Sequence, residues 1–347
     1  MIDTMKSKLL LVAAALLLST GWTIRDLGTL PGGGLSVANS INEVHAVAGQ
    51  AANSAGIMRA VWWDSAGTIR EIPTPAIAGR FSAAYDINEL NVVVGRMGTA
   101  TSDWHAFKWQ SGVLTDLTAS STSIAFSINN SNHIVGQWTV AGTPPRHYAV
   151  VWPSGAPGTP TWLGGFGGLV DLAADISNAN VIAGTSALSG SPLRRHAFLW
   201  NGGTMTDLGT LGGNNSFGRA LEAPGSATTA SIYVVGESEI IPGSFDTRAF
   251  IWHLGTMTNI GTLPGCTTTQ AYGINKMKQV VGSCQGGGIS RAWLWNSSTG
   301  TMVALDTLID PALGWEQLQT ANDINNYGEI VGMGIHNGQT RAFLMKP

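Results

Sequence analysis

Catalysis needs acids, bases or nucleophiles gathered in one place, and only a few residues of this chain depart from a repeating background. Glu222, Glu316 and Asp310 are such departures, and each is a candidate catalytic residue. Two carboxyls ~5–9 Å apart across a pocket can serve glycoside hydrolysis as acid and base, or as acid and nucleophile. Arg219 lies three residues before Glu222 and adds a fixed cation. Trp104 and Trp315 read as loop residues, outside the repeated core position. Exposed aromatic faces of this kind stack on sugar rings. His105 and His196 belong to a set with Arg59, Tyr148, Arg248, Arg291 and Arg341, each standing just before an Ala. Such a set is either a basic collar gripping a ligand or a series of struts. One copy per repeat favours struts, because chemistry needs one asymmetric site. His45, His133 and His253 stand off that position; any of them could act as a base, as in a polysaccharide lyase, but a solvated or hydrogen-bonded side chain is the favoured reading.

Cys266 and Cys284 are the only cysteines. Both read as loop residues of one repeat, emerging at the same end, and an exported chain lets them pair as a disulfide. No Cys-x-x-Cys or His-x-x-x-His accompanies them, so neither a metal nor a cofactor is expected. Gly-x-Ser-x-Gly, His-Glu-x-x-His, Gly-x-x-x-x-Gly-Lys and Gly-x-Gly-x-x-Gly are all absent.

The elements that must position these residues come from a repeat. Ala-x-x-Ile-Asn recurs at Ala84–Asn88, Ala125–Asn129, Ala271–Asn275 and Ala321–Asn325. An apolar run ending in Gly follows, then Ala-Phe-x-Trp or a relative, then a Thr-rich stretch leading to Asp-Leu-Gly-Thr-Leu. The glycines closing the second piece are Gly49, Gly95, Gly136, Gly184, Gly236, Gly282 and Gly332, spaced 46, 41, 48, 52, 46 and 50 residues apart. Four short strands every ~40–50 residues predict a seven-bladed β-propeller of four-stranded antiparallel blades, an all-β fold. Small Ala and Ser suit strands that converge; Phe and Trp suit the wider gap outside. Repeat seven stops after its third strand, and Trp22–Leu30 reads as a fourth strand without its three predecessors. Pairing the two would close the ring and remove two strand edges. The repeated Asn residues (Asn42, Asn88, Asn129, Asn275, Asn325) read as turn residues. Asp86, Asp175 and Asp323, in three repeats only, are expected to hydrogen-bond near the axis.

The chain resembles the bacterial extracellular HAF repeat family. The resemblance rests on His105–Phe107 and His196–Phe198, on DLGTLGG (Asp207–Gly213), DLGTLPGG (Asp26–Gly33) and NIGTLPG (Asn259–Gly265), and on the closing unit GWEQLQTANDINNYGEIVGMG. It covers essentially everything after residue 21 and implies a secreted propeller-like repeat protein without a defined activity.

Lys6 and Lys8 precede the apolar run Leu9–Leu18, and small Ser19 and Gly21 follow, so residues 1–21 read as a signal peptide and 22–347 as one domain. The apolar run is too short to span a bilayer. Only 11% of residues are charged and the net charge is −3, without a basic block. That argues against nucleic acid and anionic membrane surfaces as partners. The reading that follows is a monomeric, secreted binding scaffold for an extracellular glycan or surface protein. It would use the loops entering each first strand and those joining the second and third. A carbohydrate-active hydrolase or lyase at the same end is the alternative.

Overall fold

The computed structural model describes residues 21–75, 80–99, 103–118, 121–156, 158–191, 194–225, 229–244 and 246–347. The signal segment expected over 1–21 lies outside them except for Gly21, as do residues 226–228 of the long connection between Glu222 and Tyr233 in repeat five, an insertion relative to the other repeats.

The chain is all-β and built of four-stranded antiparallel units. Repeat one runs Ser36–Ile41, Val47–Ala52, Met58–Trp63 and Ile69–Glu71, side by side in that order. The same order recurs in each later repeat. Repeats three and four are joined into one larger sheet by a single parallel contact, His147 to Val170. Repeat seven contributes Trp315–Ile324, Ile330–His336 and Gln339–Lys346. Its fourth strand is Thr23–Asp26, which pairs antiparallel from Thr23↔Lys346 to Asp26↔Phe343. Leu27 N–H continues the ladder to Ala342 O at 2.9 Å.

Each first strand carries a β-bulge two residues before its closing Ile or Leu. The register shifts between Ala38 and Ser40, Ala84 and Asp86, Ala125 and Ser127, and Ala173 and Asp175. It shifts again between Gly218 and Ala220, Ala271 and Gly273, and Ala321 and Asp323. The repeated glycine of the second strand lies opposite. A Cβ on Gly95 would sit 2.0 Å from Ala83 O, and one on Gly332 would sit 1.9 Å from Thr320 O. Glycine is therefore required by close backbone approach, and the bulged strand bends there. Aromatic rings of the third strand, such as Phe198 over Gly184 and Phe343 over Gly332, occupy the space it leaves.

The apolar clusters lie between units. One combines Ala48 and Ile72 of repeat one with Ile87, Phe107 and Trp109 of repeat two. Another combines Ile41, Val61 and Trp63 with Val331 and Leu344 of repeat seven. Trp63, Trp152 and Trp293 are fully buried at such contacts, each contributing roughly 2–3 kcal/mol through apolar area. Trp63 Nε1 also donates to Leu27 O at 2.7 Å.

The repeated asparagines have two tasks. Asn42 Oδ1 accepts from Ala46 N–H at 2.8 Å, closing its own turn. Its Nδ2 donates to Asn88 O of the next repeat at 2.9 Å. Asn88 reaches Asn129 O, Asn129 reaches Ser177 O, Asn275 reaches Asn325 O, and Asn325 reaches Asn42 O. Repeats four and five have Ser177 and Glu222 there, so the relay is interrupted.

Cys266 and Cys284 form a disulfide with Cα atoms 5.8 Å apart. Cys284 lies inside the strand Gln279–Gly286, not in a loop as its position in the repeat suggests.

Candidate functional site

The first strands of the repeats surround a shared central cavity with three levels. At the end where the chain enters each first strand, here the loop mouth, a cavity of about 240 Å³ is lined by all the bulge residues. These are Asn39, Tyr85, Phe126, Ala174, Arg219, Tyr272 and Asn322, with Leu172 beside them. The bulge turns the one variable position of a repeated strand toward the cavity. The result is three aromatic rings, two amides and one guanidinium around one space. Tyr85 and Phe126 touch, with ring centres 5.5 Å apart. Arg219 is held by Glu237, with Nε at 3.1 Å and Nη2 at 2.5 Å. Tyr272 donates its hydroxyl to Gln270 Oε1. Burial pushes both tyrosines above the ordinary phenol range.

The middle level, about 130 Å³, is lined by Ser40, Asp86, Ser127, Asp175 and Asp323 among others. Asp86 accepts from Ser40 Oγ at 2.7 Å, Ser127 Oγ at 2.8 Å and Ile128 N–H at 2.8 Å. Asp175 accepts from Leu221 N–H at 2.8 Å and lies 2.8 Å from the same Ser127 Oγ, whose single proton serves one of the two carboxyls at a time. Asp323 accepts from Ile41 N–H at 2.9 Å. Each aspartate thus braces a neighbouring repeat, as the sequence leads one to expect. Burial, reinforced by the charge of Asp86, pushes Asp175 up to about 6 and Asp323 up to about 7.

The third level opens at the turns joining first and second strands, here the turn mouth. Its cavity of about 540 Å³ is lined by Glu43, Glu89, Glu222 and Lys276, with Asn130, Asn178 and Asn326. Glu43 accepts from Asn326 N–H at 3.1 Å, and Glu89 accepts from Glu43 N–H at 2.9 Å. Among the described residues the Glu222 carboxyl has no hydrogen-bond donor. Burial pushes it above the ordinary carboxyl range, although Lys278 and Lys276 oppose this.

The structure separates the residues that the sequence grouped. Arg219 faces the loop-mouth cavity and Glu222, on the same strand, faces the turn mouth. Glu222 therefore does not share the loop end expected for it. Glu316 and Asp310 line none of these cavities. Glu316 accepts from Gly338 N–H at 3.0 Å, and Asp310 caps a short 3₁₀ turn by accepting from Ala312 N–H at 2.8 Å. Trp104 and Trp315 are strand residues, opening Trp104–Gln110 and Trp315–Ile324. Trp315 stacks on His336 at 4.6 Å and meets Phe343 edge-on. Trp104 lies against Phe81 at the loop end, 4.2 Å between ring centres. His105 and His196 are struts: their Nδ1 atoms reach Asp116 at 2.7 Å and Asp207 at 2.8 Å, tying third strand to fourth. Arg59 with Glu71 and Arg291 with Asp306 do the same.

Sequence reasoning passed over Tyr85, Phe126, Tyr272, Asn39 and Asn322. The signal was present: one position varies freely inside an otherwise repeated motif.

Among the described residues no group of three or more His, Cys, Asp or Glu is arranged to hold a metal ion, and no helix is long and apolar enough to cross a membrane. No family model and no curated protein matches the chain. Solved structures do. An oligogalacturonate lyase of Vibrio parahaemolyticus superposes with a TM-score of 0.54 at 8% identity, covering 93% of each chain. Oligogalacturonate lyase in complex with manganese gives 0.56 at 10%, covering 94% of each chain. The β-propeller domain of the Trilobed protease from Pyrococcus furiosus, whose topology is an open velcro, gives 0.51 at 9%, covering 90% of this chain and 93% of that one. The likeness shows the fold alone: this is a β-propeller.

Proposed function

We propose that the chain is a secreted, monomeric HAF repeat protein of seven blades, closed by Thr23–Asp26, that binds an extracellular glycan in the loop mouth of its central cavity. One observation carries the binding assignment: the bulges aim Tyr85, Phe126, Tyr272, Asn39, Asn322 and Arg219 into one space. Sugars present apolar C–H faces and hydroxyl edges. Aromatic rings suit the former, and amides with a positioned guanidinium suit the latter. Closure is supported by the bonds between repeats seven and one, including His45 Nδ1 to Glu329 at 2.7 Å and Asn322 Nδ2 to Ala38 O at 2.8 Å. The test is calorimetric titration of the purified protein with a panel of neutral and acidic oligosaccharides. Tyr85→Ala and Asn322→Ala are each expected to weaken a hit about tenfold. A panel without a hit, or hits indifferent to both variants, would overturn the assignment.

A second reading, a hydrolase or lyase, is favoured by the turn mouth. Glu222 keeps a raised, unbonded carboxyl in a cavity shared with Glu43 and Glu89, and two of the structural neighbours are oligogalacturonate lyases. Polysaccharide turnover lost in Glu222→Gln and kept in Glu316→Gln would establish it over binding alone.

A further inference from the structure

We propose that Arg96 forms an acid-binding subsite beside the loop mouth, so that the glycan taken there carries a carboxylate or sulfate; this rests on the glycan-binding assignment above. The guanidinium carbon of Arg96 lies 4.4 Å from the ring centre of Trp104, 5.5 Å from that of Phe81 and 5.8 Å from that of Tyr85. Its Nε is buried without a hydrogen-bond partner. Four arginines that precede or line the repeated strands are paired with carboxylates: Arg59 with Glu71, Arg219 with Glu237, Arg291 with Asp306 and Arg341 with Asp26. Arg146 shares the unpartnered Nε but meets one ring, that of Tyr148, where Arg96 meets three. Among the described residues no carboxylate lies within ion-pair distance of Arg96. A cation among aromatic walls, with part of its planar donor fork unused, matches the two oxygens of a carboxylate or sulfate.

The surroundings make the anion part of a sugar. Phe81 and Trp104 offer ring faces, and Phe81 is 38% exposed, so the shelf is reachable from solvent. Tyr85 joins this shelf to the central cavity, because it contacts Arg96 on one side and lines the cavity with Phe126 on the other. A saccharide stacked on Trp104 would direct its acidic substituent to Arg96 while its next residue reached the bulge ring.

The experiment compares three ligands on one backbone by calorimetry: a neutral oligosaccharide, its uronate counterpart and its sulfated counterpart. The wild type is expected to prefer one acidic form by about tenfold or more, as a charge-assisted pair requires. The two acidic arms identify the acid. Arg96→Gln is expected to erase that preference, so that acidic and neutral ligands bind the variant equally, and Arg96→Lys to keep part of it. Trp104→Ala is expected to weaken all three. Equal affinity for neutral and acidic ligands, or an acidic preference that survives Arg96→Gln, overturns the subsite while leaving glycan binding intact. Absence of binding to all three removes both.

Discussion

The aspartates of the middle level make stability fall as pH rises through the range where most proteins are indifferent. Asp323 is raised to about 7 and Asp175 to about 6, against about 3.9 for an aspartate in an unfolded chain. The folded protein therefore holds two protons that the unfolded chain has released. Their contribution is complete below about pH 4 and is lost as pH climbs through about 6 and then about 7. The full shifts correspond to at most about 4 kcal/mol at Asp323 and about 3 kcal/mol at Asp175. Both carboxyls touch the cavity, whose water lowers these limits, so the expected loss between about pH 4.5 and about pH 8 is about 3 kcal/mol in all. Glu329 acts outside this window. Burial opposes its ionisation, but bonds from Lys346, His45 and Asn325 outweigh that and hold it below the ordinary range. Its contribution is present above the unfolded carboxyl value and disappears only as pH falls further. The assay is urea denaturation followed by tryptophan fluorescence, on wild type, Asp323→Asn and Asp175→Asn. Each variant is expected to be somewhat less stable in acid and to show a flatter pH profile. Wild-type stability that holds or rises from about pH 4.5 to about pH 8 would refute the reasoning, as would an undiminished slope in Asp323→Asn.

The other predictions concern the frame. Gly95→Ala places a methyl 2.0 Å from Ala83 O and is expected to cost about 3 kcal/mol or more by thermal or urea denaturation, or to prevent accumulation of folded protein. Replacing Cys266 and Cys284 by Ser removes a crosslink spanning 18 residues of sequence and is expected to cost about 3 kcal/mol, seen as a lower urea midpoint. His196→Ala severs the bond to Asp207 and is expected to cost at most about 1 kcal/mol, with ligand affinity unchanged in titration.

Much of this architecture is legible because it is periodic. Gly49 to Gly332, the Ala-x-x-Ile-Asn motif and the orphan strand at Trp22–Leu30 state the unit, its copies and the partner for repeat seven. The strut role of His105 and His196 is legible for the same reason. The site was hidden by a local geometric event. Strict alternation would let only every second residue of a first strand face inward, but the bulge at Ala84–Asp86 turns Tyr85 inward as well. The opposing glycine that permits this is plain in the sequence; the register shift is not. Glu222, Glu316 and Asp310 all break the pattern, yet only the folded structure places Glu222 at a mouth, Glu316 near the start of a first strand bonded to Gly338 N–H, and Asp310 at the cap of a short 3₁₀ turn. Arg96 draws its neighbours from the approach to a first strand, from that strand and from a third strand, a convergence no linear spacing encodes.

In repeats one, two, three, six and seven the asparagine at the end of the first strand hands its amide forward to the carbonyl of the following unit. A module that carries both plug and socket can be copied in tandem without redesigning its neighbours, since any two copies mate in the same orientation. Where Ser177 and Glu222 replace the plug, successive modules lack this one bond, and Leu221 N–H to Asp175 is what joins repeats four and five near the axis. That makes repeats four to six the place where a chain of such copies can accept an insertion, such as the one following Glu222, without disturbing the rest of the series.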